Sequence, residues 1–117
     1  MTGFPQGGCV AVPRRTLIAA STNATLVRSV PTALQGMVAV NTGTAAAYLK
    51  LYDTAAAPVP GTGTPVMTVP LPVNQPVLLD TAVAFLSGLG FTITGAVADA
   101  DTTAAPAGGV VNLLIGS

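Results

Sequence analysis

The chain has 117 residues, four basic, four acidic and no histidine, and its formal net charge is zero. That length builds one domain around a single two-layer core. The missing imidazole and the sparse, balanced charge argue against histidine-dependent nucleophilic catalysis and against a basic surface for nucleic acid.

Residues 1–15, MTGFPQGGCVAVPRR, break every period with Gly3, Pro5, Gly7, Gly8 and Pro13 and end in Arg14 and Arg15. No basic segment followed by an apolar one is present, so this is not a signal peptide. The stretch reads as an extended arm that grips a neighbour, with residues 16–117 forming the folded domain. Its Cys9 is the single cysteine, which rules out an internal disulfide and suits an intracellular origin. Short strands follow over 16–20 and 24–30, with a turn at 21–23, and Pro31 ends the second because it cannot donate to a ladder.

The clearest pattern is GMVAVNTGTAAAYLKLYD, residues 36–53. Ala47, Leu49 and Leu51 alternate with Tyr48, Lys50 and Tyr52, the period of two of a half-buried strand. Asn41 and Gly43 tolerate the positive φ of a tight turn, so the stretch predicts a β-hairpin with Tyr48, Lys50 and Tyr52 on its outer face. Residues 53–65, DTAAAPVPGTGTP, predict a long surface loop. Residues 66–71, set among Pro65, Pro70 and Pro72, predict an edge strand. Further strands are expected at 77–79, at 82–86 (where Gly88 and Gly90 disfavour a helix) and at 91–94, with Thr92 and Thr94 facing out. A second long loop spans 95–109. The apolar closing run 110–115 predicts a strand in the middle of a sheet. Eight or nine short strands with turn signals between them make an all-β protein, a single antiparallel β-sandwich that is jelly-roll-like or immunoglobulin-like.

Little in this inventory is suited to chemistry. Asp99 and Asp101 share one loop, where aspartates cap turns; a weak Ca²⁺ site completed by backbone carbonyls is the alternative. One cysteine without histidine cannot build a zinc site, and Gly61, Gly63, Gly88 and Gly90 form no phosphate loop. No apolar run reaches the roughly 18 residues of a spanning helix, because Pro70, Pro72, Pro76 and Asp80 interrupt the longest ones. The expectation is therefore no enzyme, no catalytic residue, no cofactor, no metal, and no nucleic-acid or membrane partner. With about 7% charged residues against a usual share of about 25%, the chain suits an assembly. Tyr48, Lys50 and Tyr52 read better as a protein contact than as a sugar-stacking site.

The run YLKLYDTAAAPVPGTGTPVMTVPLP (48–72), then GLGFTITGAVADADTTAA (88–105) and the apolar last strand, resembles a group of small tailed-bacteriophage virion proteins of the head-decoration or cement type. That resemblance, over residues 36–115, implies a structural β-sandwich with no catalytic residues. It implies the major capsid protein as partner and the phage-head surface as location, after synthesis in the bacterial cytoplasm. On this reading Phe4, Arg14 and Arg15 of the arm touch the capsid. Tyr48, Lys50 and Tyr52 hold further copies, with a trimer as the expected oligomer. A tail, collar or fibre-base component, or a host-glycan or receptor-binding module, are the alternatives.

Overall fold

The computed structural model describes residues 11–116 as nine strands and no helix. They are β1 (Ala11–Leu17), β2 (Thr25–Arg28), β3 (Thr32–Val40), β4 (Ala47–Asp53), β5 (Met67–Leu71), β6 (Pro76–Leu79), β7 (Val83–Phe85), β8 (Leu89–Thr94) and β9 (Val110–Gly116). Sheet I has the order β1-β9-β3-β6, with β7 also on β3, and sheet II the order β2-β8-β4-β5. Every strand pairing is antiparallel. The last strand lies between the first and the third, and the eighth between the second and the fourth. The protein is an all-β sandwich, and this order is that of a jelly roll.

The alternation read from the sequence sets the inner faces. Ala47, Leu49 and Leu51 of β4, Phe91 and Ile93 of β8, and Val111, Leu113 and Ile115 of β9 are buried together in one core. The closing strand is internal, paired with β1 on one side and β3 on the other. Strand β5, with Pro70, is an edge, and residues 83–85 are strand rather than helical turn.

The predicted hairpin does not form. Met37–Val40 ends β3 in sheet I, whereas Ala47–Asp53 is β4 in sheet II, so residues 41–46 cross the sandwich. Asn41 makes the crossing: it is fully buried, its amide nitrogen donates to the carbonyls of Ala45 and Leu71, and its Oδ1 accepts the Gly43 N–H. A short polar side chain that satisfies the backbone locally suits a turn of either kind.

The boundary of the N-terminal arm also moves. Residues 11–15, assigned to it above, are paired residue by residue with β9. Phe4 and Cys9 lie outside the described residues, as do positions 1–10 of the arm.

Candidate interaction surface

Among the described residues strand β1 has one neighbour, β9, and almost no cover. Of its seven residues only Thr16 is half-buried, and the rest are exposed. Directly opposed residues of an antiparallel pair point to the same side. Arg14 therefore follows its partner Leu113 toward the core side, and Arg15 follows Asn112 to the outer side. The two arginines, adjacent in sequence, serve opposite faces. Just past the strand, Ile18 is buried and exchanges backbone hydrogen bonds with Gly108 and Gly109, which fixes where β1 leaves the sheet.

The short β2 opposes β1 across the sandwich's open side, and a cleft of about 240 Å³ lies between them. Val12, Val27 and Ile115 give it an apolar floor, with Arg14 and Arg28 at its margin. Arg28 also reaches the Gly116 carbonyl at 3.5 Å. Among the described residues no acidic side chain lines this cleft. Two guanidinium groups beside apolar surface suit a peptide segment that offers aliphatic side chains and a carboxylate.

Among the described residues nothing covers the outer side of sheet I. Leu17, Val38 and Leu78 project from β1, β3 and β6 with 61%, 42% and 71% of their surface exposed. They share that side with Val110 and Leu114 of β9, as the register requires. The charges on this face are Arg15 on β1 and Asp80, which follows β6 and borders the shallow hollow formed with Val38 and Leu78.

The outer side of sheet II is roofed by the chain's own loops. The loop of residues 54–66 rests on β8 through Pro58, and a Cβ at Gly90 would come within 2.8 Å of the Pro58 ring. The loop of residues 95–109 meets the first loop at Gly61, where φ is +79° and an added Cβ would come within 2.6 Å of the Thr102 methyl and 3.0 Å of the Ala100 carbonyl, leaving no room for a side chain. Beneath the roof Lys50 is wholly buried, its Nζ donating to the Ala98 carbonyl, and Tyr52 is nearly so. The Tyr52 hydroxyl and the Thr92 Oγ1 are buried there with no hydrogen-bond partner among the described residues. Tyr48, Lys50 and Tyr52 lie on the outer side of β4 as expected, but that side is covered: only Tyr48 keeps partial exposure, because the two long loops fold back over the strand.

Asp101 is committed to its own loop. Its carboxylate accepts the Ala96 N–H at 3.1 Å and the Thr103 hydroxyl at 2.8 Å. Desolvation pushes its pKa up, but the bonds from Thr103 and Ala96 outweigh this and hold it below the ordinary aspartate value. Asp99 is exposed on the same loop. Among the described residues no three histidine, cysteine or acidic side chains gather as a metal site would require.

The sequence reading missed Val12, Val27 and Arg28 of the cleft and Val38 and Leu78 of the bare face. One signal was available for the bare face: residues 36–40 and 77–79 are apolar at every position, so each strand carries apolar side chains on both of its sides. Comparison with protein-family models, with curated proteins and with solved structures finds no match to this chain.

Proposed function

We propose that this chain is a non-catalytic structural protein that works by adhering to other protein, and that it decorates a phage head by binding the outer surface of the major capsid protein lattice. One observation carries the adhesive reading: among the described residues nothing covers either face of β1, which borders an apolar cleft flanked by Arg14 and Arg28. The near absence of charge supports it, since such a surface resists burial poorly. The narrowing to a phage head rests on the resemblance of residues 36–115. The jelly-roll order adds only a fold-level analogy, as viral capsid domains and lectins both use it.

In this reading Arg14 and the cleft take a segment of the capsid subunit, and a protein that binds the assembled lattice but not free subunits stabilises it by mass action. Mixing the purified chain with expanded, undecorated capsids and pelleting tests this. The expected result is co-sedimentation that saturates at a copy number matched to the lattice. The double variant Val12→Asp/Arg14→Glu, altered only at exposed positions, should stay folded and remain in the supernatant. Bare capsids beside a chain that binds tails or host cells would favour the tail or receptor alternatives.

A further inference from the structure

We infer that the uncovered outer face of sheet I is a two-fold interface for a second copy of this chain. The face carries Val38, Leu78, Val110 and Leu114 around a single central amide, Asn112, and, among the described residues, one charge of each sign. Arg15 and Asp80 stand at opposite margins, on β1 and just past β6, three strand spacings apart in the order β1-β9-β3-β6. At about 4.8 Å per spacing that is roughly 14 Å, too far for a pair within one molecule.

A two-fold axis solves the mismatch. Arg15, Asn112, Val38 and Leu78 form one row across the sheet, because each is the register partner of the next. An axis parallel to the strands, between β9 and β3, lays Asn112 over Val38 of the other copy and Arg15 over Leu78. Asp80 lies two residues beyond Leu78, about 7 Å along the chain, within an arginine's reach. The same rotation makes the reciprocal contact, so both charges of each copy are matched, as an isologous interface demands. Two such faces pack as aligned sheets do in a sandwich. A heterologous partner would need its own pair of charges at this spacing; a second copy already has them.

Strands β1, β9, β3 and β6, of seven, seven, nine and four residues, make a face of roughly 450 Å² a side, the size of the largest patch on a typical monomer, which is often functional. The pair would bury on the order of 900 Å² in all, the size of a weak, reversible interface. This inference rests on the reading of the chain as an adhesive module and supplies its partner at this face.

Sedimentation equilibrium of the free chain tests it, without capsids. A monomer–dimer equilibrium is expected, with a dissociation constant on the order of micromolar to tens of micromolar. Leu78→Lys, at an exposed position, should keep the thermal unfolding of the monomer and weaken the dimer at least about 100-fold. Arg15→Asp and Asp80→Arg should each weaken it about tenfold. The double exchange, or an equimolar mixture of the two single variants, should restore it. A chain that stays monomeric to about 1 mM, a dimer indifferent to Leu78→Lys, or an exchange that restores nothing overturns the inference. A monomer that still pellets with capsids overturns the dimer alone, and a dimer that leaves capsids bare overturns the capsid reading alone.

Discussion

The outer faces of the two sheets invert the usual distribution of polarity. Sheet II turns Lys50, Tyr52, Thr92 and Thr94 outward, a set suited to water, and all four are buried. Sheet I turns Leu17, Val38 and Leu78 outward, and these are exposed. The long loops account for the difference. A polar face offers donors that a loop's own backbone can use, as Lys50 does for the Ala98 carbonyl and the Thr94 hydroxyl for the Ala96 carbonyl. An apolar face gives a loop's carbonyl and N–H groups nothing to bond, and an unpaired buried backbone group costs about 1–3 kcal/mol. Loops therefore settle on the polar sheet, and the apolar one is left to pack against another sheet.

The largest effect belongs between the sheets, where both faces agree. Leu49 points inward from the roofed sheet and is wholly buried. Leu49→Asp loses about 2–5 kcal/mol of packing and also sets a carboxylate in the core at several kcal/mol more. A domain of this size is stable by roughly 5–15 kcal/mol, so the variant should be unfolded by circular dichroism. A soluble, cooperatively melting Leu49→Asp protein would mean that β4 faces the other way.

Lys50 sharpens the comparison next, because it stands where an outward lysine is ordinarily solvated. Lys50→Ala leaves a cavity and an orphaned Ala98 carbonyl, and should cost about 2–4 kcal/mol in urea unfolding. Lys50→Met also loses the bond to Ala98 but keeps the aliphatic stem and leaves no cavity, so its cost should be smaller, about 1–2 kcal/mol. Limited proteolysis of Lys50→Ala should cut first within residues 95–104, the loop the lysine pins. If Lys50→Ala proved as stable as the parent chain, the roof would have to be held by its glycine and proline contacts alone.

What could be read from the residues, and what could not, follows the same division. The inward sets of β4, β8 and β9 were legible because a period of two needs no knowledge of the partner strand. The crossing at 41–46 was not. Asn41 and Gly43 serve equally a chain that folds back on its neighbour and one that passes to the other sheet. Nor does alternation say whether the second face meets water: Pro58 over Gly90, and Gly61 against Ala100, are contacts between segments about 30 to 40 residues apart. The five residues of β1 taken for part of the arm carry no alternation, since the strand is held by backbone pairing to β9 and packs almost nothing. Of the contact residues expected, Arg14 and Arg15 stand on the surface but on opposite sides, which no spacing rule for a flexible arm would reveal.

The smallest effect concerns the seam where the roofed and bare sheets are joined. Asp53 ends β4, and its carboxylate accepts the N–H groups of Leu86, Ser87 and Gly88, the turn that carries the chain from β7 in sheet I to β8 in sheet II. The Ser87 bond, then that of Leu86, lowers its pKa beneath the ordinary aspartate value, against a smaller opposing push from desolvation. A depressed folded pKa means that the ionised form is favoured by folding. Its contribution is complete above the unfolded value of about 3.9 and disappears as pH falls through the lower folded value. Asp53→Asn removes the charge but keeps the shape, and turns an amide donor toward the N–H groups. It should lower the urea midpoint at pH 7, and the gap from the parent should close below about pH 4 as the parent's own carboxylate protonates. Asp101, depressed in the same direction, titrates in both proteins and cancels from the difference. A gap that stayed constant down to about pH 2 would assign the effect to the amide's geometry and not to the charge, and the seam would then be held without electrostatics.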